Sequence, residues 1–222
     1  MRLKSLVIGA LVATGLVVST GGVASAAGQC SIVVPSKVTI DQPYRALTAR
    51  LANDCFAAGT AYASWDFIHP SQGFQHIAIF DGTITDAWDV YDWKPTGVYT
   101  VRPSHARDAN YDDVFQNTTT TTVKLGARLT ATAKRANGKL TLSTTAKVYS
   151  PNANTWVGRS KAKVSLMRKA PGSNSWTWVK SATATSTGKV SLTVVPKAGQ
   201  YRLQVGETPS VWAVASSPVR GK

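Results

Sequence analysis

Only two cysteines occur in the 222-residue chain, and Glu207 is the only acid after residue 123. Two cysteines exclude a disulfide-dense mini-scaffold and a four-thiolate zinc or iron–sulfur site. No apolar run reaches the roughly 20 residues needed to span a bilayer, since the apolar stretch from Leu6 to Val18 falls short of that length. No segment keeps helical spacing of apolar residues over three turns, which removes helical bundles. The Gly-x-Ser-x-Gly elbow, His-Glu-x-x-His, Gly-x-Gly-x-x-Gly and the phosphate-binding loop are all missing. There is no recognition helix, zinc finger or aromatic nucleic-acid signature. A non-catalytic protein without a cofactor is expected. At 43% hydrophobic residues, the chain still has enough apolar material for a packed core, in one or two domains.

What is present begins with export. Arg2 and Lys4 precede the apolar stretch, and Ala24-Ser25-Ala26 supplies small residues for cleavage, so residues 1–26 read as a secretory signal. The mature protein is expected outside the cell, extracellular or wall-associated, with no membrane segment left. That compartment is oxidising, so Cys30 and Cys55 are expected to form a disulfide.

The net charge of +14 conceals a split. From Ala27 to Val123, six bases against ten acids leave −4; from Lys124 onward, 17 bases against Glu207 leave +16. A change this abrupt marks a domain boundary, placing an acidic domain at 27–122 and a basic one at 123–222. Both read as short strands. Leu129, Ala131 and Ala133 alternate with polar residues, Asn137-Gly138 makes a hairpin turn, and Leu140, Leu142, Thr144, Ala146 and Val148 resume the alternation. Period-two apolarity broken by frequent turns predicts antiparallel sandwiches. Asp86–Trp93 reads equally as a strand or a loop. Gly97-Val98-Tyr99-Thr100-Val101 resembles Gly199-Gln200-Tyr201-Arg202-Leu203, displaced by 102 residues. A tyrosine so placed fits the corner of an immunoglobulin-like sixth strand, and Trp65 fits the core of its central strand.

The fold class expected is therefore all-β: two tandem immunoglobulin-like antiparallel β-sandwiches after a cleaved signal peptide. Ala63-Ser64-Trp65-Asp66, His69-Pro70, Phe80-Asp81-Gly82, Gly97-x-Tyr99-x-Val101-x-Pro103, Asn117 and Val123-Lys124-Leu125-Gly126, with Tyr201-Arg202, Gly206 and Val211-Trp212 in the second half, make residues 30–218 resemble small secreted actinomycete proteins with tandem bacterial immunoglobulin-like domains. The resemblance implies fold and secretion. It carries over no catalytic or binding residue, because such proteins are mostly of unknown function.

The +16 half is the main functional cue. Arg159, Lys161, Lys163, Arg168 and Lys169 gather around one stretch, and such density draws polyanions by counterion release. The expected partner is an anionic wall polymer or polysaccharide. A second reading is sugar binding through Trp88, Tyr91 and Trp93, although strict alternation sends Trp88 and Trp93 to opposite faces. Trp176 and Trp178 share a face by the same rule. A third is calcium binding by Asp81, Asp86, Asp89 and Asp92 or by Asp108, Asn110, Asp112 and Asp113, although neither run fits the helix-loop-helix calcium pattern. His69, His76 and His105 lack the close spacing usual for zinc. Docking of the acidic half on the basic half, and the oligomeric state, stay open at this level.

Overall fold

The computed structural model describes residues 29–52 and 55–221; the expected signal segment, 1–26, lies outside the described residues. No α-helix occurs among them, and the elements are strands joined by turns and one short 3-10 helix.

Ten strands come first: β1 (Gln29–Cys30), β2 (Ile32–Val33), β3 (Lys37–Ile40), β4 (Tyr44–Leu51), β5 (Thr60–His69), β6 (Gly73–Asp81), β7 (Thr85–Tyr91), β8 (Gly97–Asp108), β9 (Phe115–Gln116) and β10 (Thr119–Leu125). A five-stranded sheet in the order β3-β10-β8-β5-β6 faces the three-stranded β2-β4-β7. Pairing is antiparallel except for β3 on β10 and the short β1 on β9. Asp86–Trp93 resolves as strand through Tyr91. Alternation sends Trp65, Phe67, Phe80, Trp88, Tyr99 and Val101 inward, where each is at most 2% exposed. Trp65 lies edge-on to Phe80 at 5.7 Å, and its indole N–H donates to the Asn117 carbonyl at 2.9 Å, so the one polar atom of the largest core ring is satisfied. The Cys30–Cys55 disulfide, with Cα atoms 5.2 Å apart, ties β1 to the turn before β5. It therefore differs from the inter-sheet bridge of antibody domains.

The second set is β11 (Ala127–Leu129), β12 (Thr132–Ala136), β13 (Lys139–Ser150), β14 (Thr155–Gly158), β15 (Lys163–Lys169), β16 (Thr177–Thr183), β17 (Lys189–Val194), β18 (Gln200–Val205), β19 (Val214–Ala215) and β20 (Val219–Arg220). The long β13 is the spine of one sheet, with β11 and β12 along one side and β14 and β17 along the other. The sheet β16-β15-β18-β19 packs against it, with β20 on β18. Leu140, Leu142, Val164, Leu166, Leu192, Tyr201 and Leu203 form a second core. Asn137 and Gly138 take φ of 48° and 71°, the positive values that a two-residue hairpin requires. The alternation expected at Ala133 fails, because β12 is exposed along its whole length.

The two sandwiches share the tyrosine corner. Tyr99 donates to the Pro95 carbonyl at 2.7 Å, and the Tyr201 hydroxyl accepts from the Lys197 amide at 2.9 Å. Each tyrosine reaches four residues back, as in immunoglobulin-like domains. The domain boundary expected at 122/123, and the change of charge at Val123/Lys124, fall inside β10, and that strand carries the seam between the cores. Leu125 bridges Val211, and the Trp212 indole donates to the Val38 carbonyl at 3.0 Å. The Tyr149 hydroxyl, from β13, donates to Asp92 at 3.0 Å.

Candidate functional site

The five cations expected to form one patch do not meet on one face. Lys163 and Lys169 stand at opposite ends of β15, about 20 Å apart at 3.3 Å per residue. Arg168, one residue out of phase, faces the other way and donates to the Ala198 carbonyl at 2.6 Å. Lys161 occupies a turn with φ 57°, and Arg159 is half-buried, its guanidinium pKa lowered by burial. Spacing in sequence gathered these residues, and the strand geometry separates them.

A different constellation forms on the outer face of the β13 sheet. The residues of β13 opposite the core-facing set are Lys139, Thr141, Ser143, Thr145 and Lys147, and cross-strand pairing aligns them in rows. Lys147 is flanked by Arg128 and Gly158. Lys189 stands beside Thr145, Thr132 and Ser191 flank Ser143, and Lys134 and Thr193 flank Thr141. Ser143 and Ser191 hydroxyls lie 2.7 Å apart, Thr141 and Thr193 hydroxyls 2.8 Å. A groove of about 810 Å³ runs here, lined by Arg128, Lys147 and Lys189, by Trp156, and by hydroxyls including those of Thr130 and Thr145.

Electrostatics and packing define its closed end. Arg128 and Lys147 are direct cross-strand partners, an arrangement of like charges that costs stability, and no carboxylate lines the groove. The Arg128 guanidinium lies over the Trp156 ring at 3.7 Å, a cation–π contact that holds it in place. Trp156 meets Tyr149 edge-on at 6.0 Å. Burial, and then the hydrogen bond to Asp92, push the Tyr149 hydroxyl up to about 12, so it stays a donor at the seam. Gly188, next to Lys189, takes φ +82°, and an added Cβ would lie 2.3 Å from the Ala146 carbonyl, so only glycine fits that approach. The alternation that marked the inward residues of β13 also marks its outward ones. Their pairing with Arg128 and Lys189 is set by non-local strands.

The aromatic reading changes one member. Trp88 is 2% exposed and packs on Phe67 at 4.6 Å, so it belongs to the core and cannot meet a sugar; its position on a two-sheet strand turns it inward. Tyr91 and Trp93 are outside, 39% and 67% exposed, stacked at 5.5 Å. The third exposed ring is Tyr44, 5.1 Å from its cross-strand partner Tyr91, with its hydroxyl donating to Asp89 at 2.7 Å. That bond is the main cause of its raised pKa. Trp178 is exposed as well, whereas Trp176 lies beneath the Arg202 guanidinium at 4.2 Å.

The acidic runs do not converge. Asp86 accepts from the Ile79 amide, Asp89 from Tyr44 and Asp92 from Tyr149, so each serves a separate partner. Asp108 closes its own turn on the amides of Asn110 and Asp112. Among the described residues no group of three His, Cys, Asp or Glu side chains is placed to hold a metal ion. His69 bonds the Thr96 carbonyl at 3.1 Å, and His76 lies edge-on to Phe67.

The chain matches no protein-family model and no curated protein. Among solved structures it is similar to native α2-macroglobulin of E. coli, at 8% identity and a TM-score of 0.40, covering 89% of this chain and 14% of that one. It is similar to domains A168–A170 of titin, at 13% identity and a TM-score of 0.29, covering 87% of this chain and 66% of that one. It is also similar to calcium binding domain CBD12 of CALX1.1, at 8% identity and a TM-score of 0.33, covering 79% of each. The strand pairing itself defines the all-β sandwich architecture.

Proposed function

We propose that this is an exported, non-catalytic binding protein that associates with anionic cell-wall or extracellular polymers through its basic second half. The observation that carries the reading is the unneutralised row of Arg128 and Lys147 with Lys189 beside it, in a groove without a carboxylate. Like charges held together without a counter-ion of their own offer a polyanion a gain that neutral ligands do not obtain. Arg159, Lys161 and Lys163 at one end of β15, and Arg168 and Lys169 at the other, add to the field as two smaller groups. The Cys30–Cys55 bridge suits an oxidising compartment.

The test is a salt titration of the intact mature protein binding to isolated walls, with walls stripped of their phosphopolymer as comparison. Binding should weaken steadily as salt rises, because screening and counterion competition reduce the gain at each engaged cation. Binding indifferent to salt and to stripping would end the charge reading. It would favour instead the second one, a neutral-sugar site on the exposed rings of Tyr44, Tyr91 and Trp93.

A further inference from the structure

We propose that the outer face of the other sheet of the basic half, β16-β15-β18 with β20, is a binding site for acidic saccharides. One sugar ring stacks on Trp178, and the anionic group of a neighbouring unit is held at Lys169 and Arg220. This site is separate from the groove, because the two sheets pack on a shared core and their outer faces lie on opposite sides of the sandwich.

A β-bulge turns Trp178 outward. Leu166 pairs with Lys180 and Met167 with Trp178, so β16 takes up an extra residue, Val179, between the two pairs. Leu166 lies in the core, and Lys180 beside it reaches the Thr193 carbonyl of the facing sheet. Unbroken alternation would send Trp178 to that side too; the extra residue re-aims it, as bulges do next to binding sites. The ring is 63% exposed and yet fixed. Its N–H donates to the Ser181 hydroxyl at 2.8 Å, and Ser181 is bonded to Ser165 at 2.9 Å. An exposed ring whose polar atom is already satisfied offers its electron-rich face, which attracts the C–H bonds of a sugar ring.

Register brings cations and amides to the same face. Met167 stands between Trp178 and Arg202, and in another row Gln200 stands between Lys169 and Arg220. Lys169, Gln200 and Arg220 line a recess of about 500 Å³ with Ser173 and Asn174, and no carboxylate lines it. Glu207, the one acid of this half, is paired with Lys124 at the seam. The recess therefore suits an anion, and the Gln200 and Asn174 amides, each both donor and acceptor, suit the hydroxyls of a sugar. Single-stranded nucleic acid gains its affinity instead from bases stacked on successive rings. Here Trp178 is the one open ring among the described residues of the face, because the Arg202 guanidinium covers Trp176 at 4.2 Å.

The probe is trigalacturonate, titrated into the intact mature protein over a range of salt, with its methyl ester as the uncharged comparison and melting curves to verify folding. Trp178→Ala should weaken trimer binding about tenfold, the cost of losing one aromatic anchor, without changing its salt dependence. Trp178→Phe should restore part of the loss. K169Q/R220Q should weaken binding and flatten the salt dependence. K134Q/K139Q removes the same charge from the opposite face and should change the affinity by less than about twofold. The methyl ester should bind more weakly than the acid. Full affinity in Trp178→Ala, equal losses in the two charge variants, or no trimer binding at low salt would overturn the site. Each would leave the groove reading standing, since the wall titration tests that separately. An ester bound as tightly as the acid would overturn the acidic ligand class. A thymidylate trinucleotide bound more tightly than the trimer, and lost in Trp178→Ala, would give the face to nucleic acid and overturn the saccharide.

Discussion

Tyr99 and Tyr201 occupy equivalent corners with opposite hydrogen-bond polarity, one donating to a carbonyl and the other accepting from an amide. A phenol can do either, which lets the two sandwiches share a corner without sharing the turn that precedes it. The aromatic rings divide just as sharply by position. Trp88 fills the core from β7, while Trp93 stands in solvent in the turn that follows the end of that strand at Tyr91. His76 sits between these regimes. Its ring packs on Phe67 and its Nε2 is buried without a partner, so burial lowers its pKa below the usual 6.5, against the pull of Asp86 and Asp89 and with a smaller push from Lys94. A histidine kept neutral by the fold binds its proton more readily when unfolded. Its contribution is thus present above about pH 6.5 and is lost as pH falls through the lower folded value. Melting temperature should drop on acidification from pH 7.5 to 5, and His76→Gln should flatten part of that drop. An unchanged profile in the variant would assign the pH response to other groups.

At the scale of the element, β6 is the open edge of the larger first sheet, and an open edge invites pairing with another chain. Two side chains from the facing sheet's end of the molecule close it. Asp86 accepts from the Ile79 amide at 2.8 Å, and Lys94 donates to the Gln75 carbonyl. The exposed Phe74 and Ile79 on that strand raise the stakes of leaving it bare. Asp86→Ala combined with Lys94→Ala should increase self-association, measured by light scattering against concentration, with little change in secondary structure. A variant as monodisperse as the parent would show that the carboxylate and ammonium do not guard the edge. The pattern of β6 was readable as alternation. Its status as an edge was not, because edges are defined by which strand fails to arrive.

For the whole molecule, the seam decides how the two sandwiches act together. Glu207, the only acid of the basic half, pairs with Lys124 of β10, and Trp212 sits near both Lys37 and Lys124. The Leu125 amide and carbonyl bond to Ser210 and Trp212, so the second core adds main chain to the end of the first sheet. Trp212→Ala removes the ring and its hydrogen bond to Val38 and should cost about 3 kcal/mol, within the range for truncating a packed aromatic. Calorimetry should then resolve two unfolding transitions where the parent shows a more concerted one. A single transition shifted as a whole would mean that the main-chain bonds alone couple the cores.

Local pattern was enough for the strand-rich halves, the hairpin at Asn137-Gly138, the two tyrosine corners and the buried Trp65, because period-two burial, positive φ and turn chemistry act within a few residues of chain; the partnership of Cys30 with Cys55 followed instead from there being two cysteines in a chain whose start reads as an export signal. The charge division too was written in composition alone. Tertiary structure decided which of the second half's 17 bases share a surface. Arg159 to Lys169 are close in sequence yet divide between the ends and faces of β15, whereas Arg128, Lys147 and Lys189 lie far apart in sequence and meet across three strands. Register between distant strands places side chains on a common face, and that register follows from the packing of the whole sandwich.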